Sequence, residues 1–403
     1  MVSAVFTQGM TIRTLELPVT PLRGAAGGIT GAPATVAPGS GAVQPYINSS
    51  RNSRLEQDLP AGAKWTVRWR AALNSQTGPN FVLAAASRIV VMAGEFALFD
   101  RNATALASAP SGGPMMLDPS LQLFFFIKKS AYVQASHLKD GSADFIFLPT
   151  LGDTFRRTLI ASKGSRILVA AQERALDPHG RVPATRSLLE IVDIGTPHLV
   201  NRNQRLTTYR PVGQITLPST DSLAAAGTER IVATIPGSIH FLDWSAGVRA
   251  SYHLPGRTLA LSLDEAGRAY LISEDSRLRV VSPSGELLIE HLLPAGLGTS
   301  TYPPIVGHRH EIFIAGTGKI LALEPAGDVR WEQPTMGPLT GAVVTASGQL
   351  VSTEGSKLVV RDAEGKPEVL FELGEPAATP PVMSETGDLL VASRKTLFCL
   401  RPE

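Results

Sequence analysis

The sequence predicts an all-β fold: an eight-bladed β-propeller of four-stranded antiparallel blades, with seven blades as the alternative. Three observations predict it. First, IHFLDWSAGVRA (239–250), LRVVSPSGELLI (278–289), ILALEPAGDVRW (320–331) and LVVRDAEGKPEV (358–369) each run a few strand-type residues, a turn, a glycine and a second strand. Second, the turn residues Asp243, Ser282, Glu324, Asp362 and Arg401 are spaced by 39, 42, 38 and 39 residues. That period marks an array of supersecondary units, none of which can bury its apolar face alone. Third, the last unit lacks a strand and the start of the array has one to spare. PPVMSETGDLLVASRKTLFCLRPE (380–403) aligns with PPIVGHRHEIFIAGTGKILALEP (303–325) and ends where its fourth strand would begin, whereas AKWTVRWRAAL (63–73) carries Val67, Arg68 and Trp69 in the manner of Val329, Arg330 and Trp331. The N-terminal strand therefore completes the last blade, and closure removes both open edges of the array.

Taken in order, residues 1–63 read as a low-complexity N-terminal extension and 64–403 as the propeller domain. Residues 24–50 carry no charge and are mostly Gly, Ala, Pro, Ser and Thr, too little apolar surface to offset the entropy of ordering. Within the extension, TIRTLELPV (11–19), with Leu15 and Leu17, alternates well enough to add a strand to a sheet edge of this chain or of a partner. An unstructured leader is the plainer reading. From Lys64 onward strand follows strand, bounded by Gly, Pro, Asp and Ser, with no amphipathic helix. The units run 81–108, 115–149, about 155–217, 223–254, 258–293, 303–333, 339–373 and 380–403. Residues 64–403 number 340, so eight units average about 42 residues, the length of a four-stranded blade. Seven blades result if the irregular second and third units are one. Phe124, Phe125 and Phe126 are consecutive, so as strand residues they point to both faces and must pack between neighbouring sheets.

Composition narrows the function classes. A formal net charge of +2 gives no whole-chain field to attract nucleic acid or an anionic membrane. The most apolar run, LQLFFFI (121–127), is followed by Lys128 and Lys129 and is far shorter than the roughly 20 residues of a membrane-spanning helix. No membrane insertion is expected. Cys399 is the single cysteine, which excludes an internal disulfide and any multi-cysteine metal site. The start MVSAVFTQGMTIRTLEL has neither a basic leader nor a continuous apolar stretch. A cytoplasmic location is the resulting expectation.

The best repeat copy is Pro303, Pro304, Ile305 and Val306, then IFIAG, then Leu321, Ala322, Leu323 and Glu324, Gly327 and Trp331. In this it resembles the quinoprotein-like, or PQQ-repeat, β-propellers, over about 340 residues and best in the last three blades. The resemblance assigns Trp331 and Trp69 to a slot where a tryptophan packs between blades, with Trp244 in a turn instead. Redox members of that family hold a quinone beside adjacent cysteines, which one cysteine cannot supply. The resemblance thus implies a non-catalytic scaffold, similar to the propellers that serve as subunits of larger bacterial assemblies.

Side-chain chemistry points the same way. His308 and His310 could share one face of a strand, as a metal site requires, but they align with the hairpin turns Glu385-Thr-Gly and Glu265-Ala-Gly, so an exposed turn is the reading. No nucleophile elbow, HExxH or phosphate loop is present; Gly316-Thr-Gly318-Lys319 lacks the spacing. No catalytic residue, cofactor, metal or small-molecule substrate is therefore expected. The third unit alone is charge-biased, with ten basic against four acidic residues from Arg156 to Arg210. Arg174, Arg181 and Arg186 fall in one predicted loop, Arg202 and Arg205 in another at the opposite end. Together with Leu15 and Leu17 they are the candidate partner-binding residues, solvated loops being the alternative. Poor aromatic interleaving, Phe155 and Tyr209 only, disfavours nucleic acid. The expected partners are other protein subunits. The alternative is a channel-site ligand-binding or oxidoreductase-type propeller enzyme.

Overall fold

Each repeat unit folds as a meander because its turns are chemically fixed. In the computed structural model, the Asp243 carboxylate accepts hydrogen bonds from the backbone of Ser245 and Gly247, Asp362 from Glu364 and Lys366, and Asp100 from Asn102 and Thr104. These side-chain-to-backbone bonds close the turn between the third and outer strands. The periodic markers Asp243 and Asp362 are thus the first residues of these turns, whereas Arg401, which the spacing places with them, lies within the strand Thr396–Pro402.

The structure describes residues 2–8, 11–17, 57–60, 62–73, 81–85, 87–92, 95–110, 115–118, 122–128, 132–147, 155–163, 166–173, 187–193, 198–201, 204–206, 210–217, 224–227, 229–298, 302–384 and 386–403. Their strands form eight sheets, with residues 115–147 and 155–217 contributing the four basic strands of two separate ones. Blade five is representative: Thr258–Leu263, Ala269–Ser273, Arg277–Val281 and Leu287–Leu292 pair antiparallel in chain order.

The ring closes as the sequence requires. Strands β1 (Val2–Gln8) and β2 (Thr11–Leu17) belong to the extension, and β3 (Trp65–Ala72) pairs antiparallel with Thr396–Pro402, placing Trp69 opposite Cys399 and Val67 opposite Leu400. Blade eight is completed by the N-terminal strand. Ahead of β3, Leu59 is buried in the cluster that joins blades seven, eight and one, and Asp58 accepts a hydrogen bond from the Ser347 backbone.

Two blade junctions are locked by the same contact. Trp331, on the outer strand of blade six, donates from Nε1 to the Ala363 carbonyl of blade seven at 3.1 Å; Trp69 donates to the Arg101 carbonyl of blade one at 2.9 Å. Both tryptophans bridge 32 residues forward, onto the turn of the next blade. Gly365 lies beneath Trp331 at φ +80°, where an added Cβ would stand 2.6 Å from the indole. Glycine there meets two demands at once, a left-handed backbone and close approach. At the seam the corresponding residue is Ala103, which accepts φ 67° with a side chain.

The core lies between blades. Phe124 and Phe126 pack with Phe96 on one face, at ring-centroid distances of 5.0 Å each, while Phe125 joins Val133, Ile167 and Val169 on the other. The consecutive phenylalanines therefore serve two interfaces, as expected. Polar groups also enter the interfaces. Arg361 and Glu354 form a fully buried ion pair, satisfied further by Ser352, the Pro334 carbonyl and the Met336 backbone.

Candidate functional site

Blades two and three depart from the repeat. The outer strand of blade three, Arg210–Leu217, is not the end of its sheet: β1 pairs with it, Ala4 opposite Ile215, and β2 pairs with β1 from Val2 opposite Leu17 to Gln8 opposite Thr11. Among the described residues no strand pairs with the far edge of β2. The segment 11–19 is therefore a strand over Thr11–Leu17 on its own chain, reached through a preceding strand that the sequence reading did not anticipate. The unstructured-leader reading does not hold there.

Blade two is widened by its neighbour. The connection between the third and outer strands of blade three carries a hairpin, His198–Asn201 and Gln204–Leu206, whose second strand pairs parallel with Ala143–Phe147 of blade two. Elsewhere that connection is a short turn resting on the preceding blade. Here the same neighbour contact has grown into a strand pair, and both sheets reach six strands.

Of the candidate partner residues, Leu15 stands opposite Ala4, Leu17 opposite Val2, and Arg205 opposite both Phe145 and Leu199. Arg174, Arg181, Arg186 and Arg202 lie outside the described residues. The connections that hold them leave opposite ends of blade three, because they precede and follow the strand Ser187–Asp193.

His310 does sit in the hairpin turn between the inner and second strands of blade six, closed by its own backbone bond to Gly307, but it is not an exposed turn residue. Arg268 of blade five brings a guanidinium nitrogen to 2.8 and 3.0 Å of its ring nitrogens. Arg268 in turn binds the buried Asp264 at 2.6 Å, and Tyr270 donates to the same carboxylate at 3.0 Å. This is an inter-blade brace. Nothing in the sequence signalled it, since the partners are 42 residues apart, one in each of two turns. His310 takes φ 67°, a strained value for a non-glycine residue, and the brace holds it there.

A second polar cluster lies at the closing seam. Asp388 accepts from Arg68 at 2.7 Å, Arg401 at 2.8 Å and Thr386 at 3.0 Å. Burial alone would raise its pKa, but these bonds hold the carboxyl below its ordinary range. Beside it lies a shallow cleft with room for about one water, edged by Ser87, Arg88, Arg101, Ser384 and Thr386 and floored by the buried Ala84, Ile89, Leu390 and Cys399. Burial pushes the Cys399 thiol up to about 12, so it stays protonated and unreactive. Among the described residues no three His, Cys, Asp or Glu side chains converge as a metal site would require, and no helix is long and apolar enough to cross a membrane.

No known family profile matches the sequence, and no curated protein matches it. Solved structures do share the fold. BamB from Moraxella catarrhalis superposes with a TM-score of 0.58 at 13% identity, over 84% of this chain and 99% of that one. The quinohemoprotein alcohol dehydrogenase from Comamonas testosteroni gives 0.60 at 10% identity, over 90% and 80%. The computationally designed Ika8 gives 0.57 at 12% identity, over 81% and 98%. At such identities the likeness is one of fold, and it spans a quinoprotein enzyme, BamB and a designed chain. The cytoplasmic expectation is corrected by these neighbours, because BamB and the dehydrogenase are extracytoplasmic. The lone Cys399 is buried and unpaired, so it reports on neither a reducing nor an oxidising compartment. The chain is therefore similar to these proteins in its β-propeller fold, which is shared by dehydrogenases and by BamB.

Proposed function

We propose that this chain is a non-enzymatic propeller that works as a docking subunit of a larger protein assembly, and that its partner engages the widened sector of blades two and three. One observation carries the reading. The only two six-stranded sheets among the described residues are adjacent, and both owe their extra strands to segments outside the repeat. A strand added beyond the repeat is unnecessary for ring closure, which β3 already provides. It does present a new edge, and β2 offers backbone groups along seven residues to an extended partner segment. Leu15, Leu17 and Arg205 lie on these added strands. The fold likeness to BamB is compatible with this reading, and the likeness to the dehydrogenase supplies no second one, because the channel cysteines of quinone-binding propellers have no counterpart in a chain with one cysteine.

The test is a native mass measurement of the tagged full chain purified from its own cell. The full chain is expected in an assembly several times its 42.7 kDa, and deletion of residues 1–18 is expected to release it while leaving thermal unfolding of the ring unchanged. A full chain that purifies as a monomer, or an assembly that survives both this deletion and removal of 198–206, would overturn the reading.

A further inference from the structure

The brace between blades five and six works in only one protonation state of its histidine. One guanidinium nitrogen of Arg268 stands 2.8 Å from Nδ1 of His310 and 3.0 Å from Nε2. A neutral imidazole keeps one acceptor nitrogen in either tautomer, so Arg268 can donate to it. An imidazolium carries N–H on both nitrogens, and a guanidinium never accepts. Protonating His310 therefore sets donor against donor and cation against cation. The nearby carboxylate does not absorb the change. Asp264 Oδ1 accepts from the Arg268 backbone, while Oδ2 accepts from Arg268 Nε at 2.6 Å and from the Tyr270 hydroxyl at 3.0 Å. His310 Nδ1 lies 3.9 Å from Oδ2, beyond hydrogen-bond reach.

The other charged groups around the turn do not restore the balance. Glu311 faces blade seven, where an added Cβ on Gly348 would stand 2.6 Å from its Oε1, and its carboxylate accepts from the Arg309 backbone. Arg309 and, on blade five, Glu265 are exposed, and His308 is half-buried. From blade four, Arg230 packs against Gly267. An imidazolium would thus share one buried carboxylate with Arg268, two cations to one anion. His310 is the member that can leave. Its side chain is 16% exposed, against 10% for Arg268 and 1% for Asp264, and release also lets its backbone abandon φ 67°. We infer that His310 is a proton-operated catch: in its neutral form it latches the turn 307–311 of blade six to blade five, and protonation releases the turn while the ring stays closed. The apolar contact of Ile289, Leu297, Val306 and Ile312 does not titrate and holds the same junction beneath it. The catch is separate from the widened blades and does not depend on the docking reading.

The experiment follows hydrogen exchange of the full chain between about pH 7.5 and about pH 5, the range in which imidazoles titrate, with intrinsic exchange rates divided out. The amides of Gly307, Arg309 and His310 are each bonded within the turn. Their protection is expected to fall by at least about tenfold on acidification, while that of blade one is unchanged. His310→Asn keeps a side-chain acceptor, tolerates the left-handed backbone and does not titrate, so its turn should stay protected throughout. Arg268→Gln removes the charge that expels the imidazolium, and the fall should be absent there too. His240→Gln removes a second buried histidine and should leave the fall in place. The inference is overturned if the parent shows no fall, if the fall persists in His310→Asn or in Arg268→Gln, or if His240→Gln abolishes it. It is equally overturned if blade one opens in step with the turn, since acid would then be loosening the whole ring.

Discussion

At the scale of single residues, a glycine and a histidine show how much one position can carry. Gly365 and Gly374 share φ +80°, but an added Cβ at Gly374 meets nothing within 4 Å, whereas at Gly365 it strikes Trp331. Gly374→Ala should therefore cost only the backbone penalty, about 1 kcal/mol. Gly365→Ala should cost about 2–4 kcal/mol, since overpacking adds to that penalty, and urea midpoints of the two variants measure the difference. His240 makes a pH-dependent contribution. Its ring nitrogens are bonded to Ser238 at 3.0 Å and Ser251 at 2.8 Å, and burial holds its pKa below the ordinary 6.5. A base that is harder to protonate when folded gives stability that is fully present above the unfolded pKa. That stability is lost as the pH falls below it, because the unfolded chain takes up the proton first. Stability should thus decline from about pH 6.5 downward, by at most about 1.4 kcal/mol per pH unit from this group, and His240→Gln should flatten that part of the profile. An unchanged slope in the variant would remove His240 as the source.

At the scale of strands and blades, legibility followed locality. The turn residues, the docking tryptophans and the strand missing from blade eight were all readable, because each depends on spacing within one unit or on comparison between units. The Trp69 and Trp331 bonds fall 32 residues ahead in both cases, as a true repeat demands. What stayed hidden depends on contacts between units. No local pattern announces that Arg268 will meet His310, that a hairpin of blade three will pair with blade two, or that β1 will precede β2 on a sheet edge. The Arg361 and Glu354 pair is of the same kind, two charges on adjacent strands that look like solvated edge residues until the neighbouring blade covers them. Burial by itself would raise the Glu354 pKa, but Arg361, Ser352 and the Met336 backbone bring it below the ordinary value. Removing one partner leaves a charge without compensation inside the interface. Glu354→Gln or Arg361→Met alone should lower stability by about 3–5 kcal/mol, whereas Glu354→Leu with Arg361→Met should recover more than half of the loss. Equal losses in the single and double variants would show that the two charges act independently.

At the scale of the whole molecule, the ring depends on one strand crossing from one end of the domain to the other. The Glu403 backbone donates to the Lys64 carbonyl at 2.9 Å, so the end of the last strand meets the start of β3, where other blades have a short turn. β3 supplies the outer edge of blade eight and the Trp69 contact to blade one, joining the two halves of the seam at once. A chain of residues 74–403 keeps every inner strand but exposes the edge of Thr396–Pro402 and empties the Trp69 slot. It should melt more than about 10 °C below residues 64–403, given the several kcal/mol expected from a lost interfacial tryptophan and an unpaired edge. Order along the chain is a separate matter from position in space. If closure is what stabilises the ring, residues 74–403 followed by a short Asn-Gly turn and then 64–73 should melt within about 3 °C of 64–403, because permutation at adjacent ends preserves the contacts. Should the permuted chain melt like 74–403, the strand would be needed for its position in the chain, as a tether ahead of blade one, and not for the edge it fills.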